Sequence, residues 1–205
     1  RLGRMTGRRT RPQHLESCDM ITASRSSPPS VGPELNGMLM EAEEFDAVTQ
    51  WDDRFRYELV QGVLVVNPPP DLNERLPNDE LGYLLRRYRD THPAGRCLDE
   101  TAPEQTMAIG ANRRRCDRAV WIGLGRRPND QVDLPTIAVE FPGRRARDRH
   151  RDYIVKREEY AAAGIAEYWI IDMHRRQMTV HRRAGETIAL GPGDVVGVED
   201  LGDQV

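Results

Sequence analysis

The chain has 205 residues, a formal charge of −3 and 38% hydrophobic residues, enough to bury one core without covalent staples. No apolar run approaches the roughly 20 residues that a membrane span needs, and the amino-terminal stretch lacks the apolar segment of a secretory signal. Three cysteines without paired spacing indicate neither a disulfide framework nor a zinc site, so a reducing, cytoplasmic setting without membrane contact is expected.

Residues 1–39 are rich in Arg, Ser, Pro and Gly and have little to bury, which predicts a disordered or non-native extension. Residues 40–190 read as one domain, and 191–205 as a weakly structured tail. EAEEFDAV, from Glu41, reads as a short helix. YELVQGVLVVNPPP, from Tyr57, reads as two strands joined at Gln61–Gly62 and stopped by a proline triplet. Over 73–90, Leu81, Leu84, Leu85 and Tyr88 recur at helical spacing, with Pro77 near the start. Residues 97–109 are strand-like but weakly patterned. DRAVWI at 117–122 and TIAVEF at 136–141 are short strands. The Arg-rich 143–152 segment leads into a helix of about a dozen residues that stops at Gly164. EYWIID at 167–172 and QMTVHRR at 177–183 add two strands, giving a mixed α/β domain around one sheet.

Asp117 and Glu140 stand out because each sits on a short apolar strand, where a carboxylate is costly to bury without compensation. Two strand carboxylates converging on one point suit a hard divalent cation such as magnesium, which polarises phosphoryl oxygens and activates water. Asp117 could equally cap a turn at a strand start, and Glu140 could pair with an arginine. Lys156 is the only lysine beside 29 arginines; its compact ammonium is not interchangeable with a guanidinium. Asp152 and Tyr160 share its helical face, while Ile154, Val155, Ala161 and Ala162 point elsewhere, so spacing alone leaves its direction open. Tyr160 is read as orienting Lys156 or packing beside it. Trp121 and Trp169 read as core, His174 and His181 as surface positions on the late strands, and Asp172 as a turn residue.

TIAVEFPGRR followed by RDYIVKREEYAAAGIAEYWIID at 151–172 resembles the signature of the Uma-two family of restriction endonucleases, within the PD-(D/E)XK nuclease superfamily. EEFDAV and RYELVQGVLVVNPPP resemble that family's opening helix and strand pair, so the resemblance covers roughly residues 40–185. It implies a restriction-endonuclease-like α/β fold, a mixed β-sheet flanked by helices, with a magnesium site (manganese as a substitute) and hydrolysis of DNA phosphodiester bonds. Asp117 and Glu140 then match the family's metal-binding acids, Lys156 its catalytic lysine, and Glu58 a further acid near the metal. The superfamily's usual lysine position, two residues after the second acid, holds Pro142 here; the position before the first acid holds Cys116. The histidine that usually follows the proline triplet is absent, and no closing strand is recognisable near the end.

Arginines gather on both sides of these acids: Arg113, Arg114, Arg115 and Arg118 around Asp117, and Arg144, Arg145, Arg147, Arg149 and Arg151 after Glu140. Such clusters neutralise phosphates without reading sequence, and Arg144, Arg145, Arg147 and Arg149 are the expected DNA-backbone contacts. The competing account is a solvated loop in an arginine-rich chain. The functional expectation is a DNA endonuclease, with homodimer formation favoured by double-strand cleavage. Its rival is an inactive DNA-binding or interaction module that keeps the fold.

Overall fold

The computed structural model describes residues 32–194; residues 1–31 of the extension expected over 1–39, and the tail from 195, lie outside them. Residues 32–39 of that extension are described and carry local structure. Pro33–Leu35 form a 3-10 turn, and Leu39 bridges Val63 on the first hairpin. Helix α1 (Ala42–Ala47) opens on a capping box between Glu41 and Glu44. Strands β1 (Arg56–Val60) and β2 (Val63–Asn67) pair antiparallel. Their two-residue turn, Gln61–Gly62, has positive φ at both positions, as a type I′ turn requires. Met40, Phe45, Tyr57, Leu59 and Leu64 form a small core beneath this hairpin.

Helix α2 (Leu72–Thr91) starts at Asp71, whose carboxylate accepts from the Asn73 and Glu74 N–H groups. Pro77 lies inside its second turn. Strands β3 (Leu98–Ile109) and β4 (Asn112–Ile122) make a long hairpin. The RRR block therefore belongs to a strand, and Asp117 sits within β4 rather than at its start. The segment was hard to read as a strand because arginines, not apolar residues, occupy its first half. Strand β5 (Ile137–Glu140) pairs antiparallel with β4 and parallel with β6 (Glu167–Asp172), which continues into β7 (Gln177–Arg182) and β8 (Thr187–Leu190). Strand β8 was not legible in the sequence. The sheet order is β2-β1-β4-β5-β6-β7-β8, with β3 against β4.

The two main helical units cover opposite faces of this sheet. Ile137 and Val139 of β5 face a core with Val120, Phe141 and the α2 residues Leu81, Leu85 and Tyr88. Ala138 faces the other way, with Ala119 and Trp121 of β4, towards Tyr160. The second helical unit is one continuous rod in three parts: α3 (Ala146–His150), a π-helical turn (Arg151–Val155) and α4 (Lys156–Ala163). Gly164 ends it in the left-handed conformation at φ 93°. Strand alternation puts Asp117, in phase with Ala119, and Glu140, in phase with Ala138, on the face covered by this rod.

Candidate active site

The site lies where one edge of β4 is shared by two partners. Near its start that edge pairs with β1, at Arg113 opposite Leu59; further on it pairs with β5, from Arg118 opposite Val139. The backbone between is left for side chains to satisfy. The Arg115 N–H donates to Glu58 Oε1 at 3.0 Å, and the Arg115 carbonyl accepts from Lys156 Nζ at 2.6 Å. Asp117 and Glu140 are the next residues along β4 and β5 beyond the paired Arg118 and Val139, so the two acids come to the same end of this strand pair. Asp117 Oδ2 accepts the Phe141 N–H at 2.6 Å, which fixes its rotamer beside Glu140.

Lys156 faces inward. Its ammonium donates to Glu140 Oε1 at 2.8 Å and stands 3.7 Å from Glu58 Oε1. Tyr160 OH donates to the same Glu140 oxygen at 3.3 Å. The buried face of the rod is thus the polar one, with Asp152, Lys156 and Tyr160 inside and Ile154 exposed. Helical periodicity could not settle this direction because the usual rule, apolar side inward, is reversed here. Lys156 is needed inside to answer acids carried by other strands.

The charges explain one another. Burial lifts the Asp117 carboxyl to about 7, against the pull of Lys156 and the Phe141 N–H. Burial also holds Glu140 well above its ordinary value; Lys156 opposes this, and the nearby Asp117 and Asp152 reinforce it. For Lys156, burial favours the neutral amine, but Glu140, Glu58 and Asp152 outweigh it and keep the ammonium charged. Burial likewise works to raise Glu58, and Lys156, the Arg115 N–H and Arg114 reverse the outcome.

Asp117, Glu140, Glu58 and Lys156 line one cleft of about 460 Å³, whose walls include Arg56, Glu104, Arg115, Arg144, Arg145, Arg147, Arg151 and His174. Of the arginines read from the sequence as backbone contacts, Arg144, Arg145 and Arg147 are exposed on this rim. Arg149 is placed elsewhere: it pairs with Asp172 and lies over the Tyr153 ring. The other cluster is consumed internally. Arg113 pairs with Asp46; Arg114 forks onto Glu159 and approaches Glu58; Arg118 is buried against Asn78 and Thr101. Only Arg115 of that group reaches the cleft. Its Nε shares Glu104 with Arg56, at 3.0 and 2.9 Å.

Several side chains at the site escaped the sequence reading. Glu104 is one, held in a left-handed backbone at φ 54° where β3 passes Asp117; nothing in its mixed surroundings announces that conformation. Asp152 is another, buried one helical turn before Lys156. The shared face was visible, but its inward direction was not. His174 sits on the turn between β6 and β7, where its Nδ1 accepts from Arg144. His181 is half-buried on β7, and Tyr160 is fully buried.

Two carboxylate oxygens are available at the cleft. Asp117 Oδ1 and Glu140 Oε2 receive no hydrogen bond from the described residues, and both carboxylates border the cleft. Oxygen ligands with room for water suit magnesium, which keeps much of its hydration. Among the described residues, however, no group of three or more His, Cys, Asp or Glu side chains is placed to hold a metal ion. No helix among them is long and apolar enough to cross a membrane.

No protein of curated function matches the sequence. A solved structure described as "a putative nuclease belonging to DUF820 from Anabaena variabilis ATCC 29413" superposes with a TM-score of 0.62 at 16% identity, over 78% of this chain and 89% of that one. At that identity the likeness establishes the fold, a mixed α/β domain of the restriction-endonuclease-like kind. The profile of the Uma2 family, described as "Putative restriction endonuclease", matches residues 42–202. On that match, which spans most of the sequence and the whole of the cleft, the chain belongs to the Uma2 family.

Proposed function

We propose that the protein is a magnesium-dependent endonuclease that hydrolyses DNA phosphodiester bonds, with manganese able to substitute. The observation that carries this is that Asp117 and Glu140 line the same cleft, each with one oxygen that accepts no hydrogen bond from the described residues, with Lys156 clamped on the second acid. Asp117 and Glu140 would hold the metal, which supplies Lewis-acid charge at the phosphate when bound. Glu58 lies behind them. Both of its oxygens are engaged, by the Arg115 N–H and by Asn67 at 3.2 Å, so it serves chiefly to balance Lys156.

Lys156 acts as a donor, because its surroundings keep it protonated. It orients the attacking water and stabilises the negative charge that grows on the phosphorus centre. Tyr160 holds Glu140 from the core side. Arg144, Arg145 and Arg147 on the rim would position the DNA backbone, whereas Arg149, tied to Asp172, would steady the rod. Two copies acting together would account for double-strand cuts.

The test is cleavage of plasmid and single-stranded DNA with magnesium or manganese. Glu140→Ala and Lys156→Ala should each lose at least ~100-fold in rate, and Lys156→Arg should fail too, since a planar fork does not replace a point charge. Undiminished cutting by a well-folded Lys156→Ala protein overturns the proposal. The shortage of a third metal-ligating side chain favours one alternative, a DNA-binding module that has lost the chemistry. Salt-sensitive DNA binding without cleavage in either metal would select that alternative.

A further inference from the structure

We propose that Arg151 is a second substrate-contacting cation of this site, set beside Lys156 by the π-helical turn and contacting a DNA phosphate next to the one being cleaved. The inference deepens the nuclease reading and rests on it for the identity of the substrate.

The argument begins with helix geometry. In an α-helix, residues five apart point roughly 140° away from each other, so an Arg151 one regular helix before Lys156 would turn out of the cleft. Here the Lys156 N–H donates to the Arg151 carbonyl, a bond five residues long. That single widened turn stacks the two residues, and both side chains line the same cleft. Such turns recur at functional positions because they re-aim side chains that a regular helix could not. The turn is also supported from the core: the Asp152 carbonyl accepts from Tyr168 OH at 2.8 Å.

The guanidinium is pre-organised. Its Nε and Nη2 fork onto the buried Asp152 carboxylate at 2.7 and 3.2 Å. Its nearest other acid, Asp148, is 4.0 Å from Nη1, too far for a hydrogen bond. The Nη1 donors therefore remain for a ligand. This separates Arg151 from its neighbours: Arg149 is spent on Asp172, and Arg114 on Glu159. A planar cation pinned along one edge and open along another, within a cleft that also holds Lys156, matches a phosphate group.

The experiment measures duplex-DNA affinity by fluorescence anisotropy against salt, with calcium in place of magnesium, and then cleavage with magnesium. Arg151→Gln should lower the slope of log affinity against log salt by about 0.9, the value of one phosphate contact, and slow cleavage at saturating DNA by at least ~10-fold. Arg151→Gln with Asp152→Asn removes the whole pair without stranding a buried charge; it should show the same slope loss even if the single variant is unstable. Arg151→Gln with Ile154→Arg restores net charge at an exposed position and should not rescue either quantity. Wild-type slope and rate in the first two variants, or full rescue in the third, overturns the proposal. If wild type cuts with neither magnesium nor manganese, the nuclease reading falls. The salt slope still decides whether Arg151 contacts phosphate.

Discussion

Two arginine clusters of similar appearance have opposite fates. Arg113, Arg114, Arg115 and Arg118 lie on β4 and are absorbed by the protein, with Arg114 and Arg118 almost wholly buried. Arg144 and Arg145 lie on the segment between β5 and the helical rod, Arg147 on the rod's first turn, and all three stay exposed on the cleft rim. The difference is topological. A central strand must satisfy every side chain against neighbours on both faces, so its arginines acquire carboxylates and amides. A connection into a helix has one side in water. Clustering of like charge in a sequence therefore indicates an anion-binding surface only after the element carrying it is known.

The sharpest way to break this comparison is to remove a buried member. Arg114→Ala strips Glu159 of its close cation and removes one of the two cations near Glu58, and should cost about 3–5 kcal/mol; chemical denaturation that shows no loss would mean the cluster is not structural. Gly82→Ala comes next. A Cβ there would lie 2.5 Å from Arg118 Nη2, so this normally favourable helix substitution should instead cost about 1–3 kcal/mol, visible as a lowered Tm. Adding Arg118→Met to Gly82→Ala should recover part of that specific penalty, because the clashing fork is gone.

The rim should answer to ionic strength instead. Arg144→Gln with Arg147→Gln should leave stability within about 0.5 kcal/mol of wild type while reducing the salt slope of DNA binding by about 0.9 for each phosphate no longer neutralised. Unchanged slopes would remove these residues from the proposed interface. The interior should answer to pH. Asp117 has a folded pKa of about 7, raised from an ordinary 3.8. The folded state therefore holds a proton that the unfolded state releases earlier, and this contribution to stability is present below about 3.8 and lost as pH rises through 7. In metal-free protein, Asp117→Asn should flatten that fall in Tm between these limits, and magnesium should bind wild type more tightly above pH 7 than below it.

The order of the late elements was open to reading because it obeys local rules: strand runs bounded by prolines, a glycine that stops a helix, and a signature from 151 to 172. The β1–β2 hairpin was equally plain, since Gln61–Gly62 supplies the turn chemistry its twist demands. Strand β4 was half hidden because arginines do not advertise a strand, and β8 because four residues carry too little pattern. Asp117, Glu140 and Lys156 could be named from residue type and family likeness. That the two acids reach one cleft follows from the β4–β5 pairing, a long-range contact that no local pattern encodes.

By itself the sequence determined the family, the mixed α/β class and three candidate side chains, Asp117, Glu140 and Lys156, because residue identity and local spacing carry that information. Only the tertiary structure decided which way the lone lysine points, which arginines meet solvent and how Arg151 comes to stand beside Lys156. Each depends on what a side chain finds across the sheet or one widened helical turn away, and burial, not chain order, sets the cost of leaving such a charge unanswered.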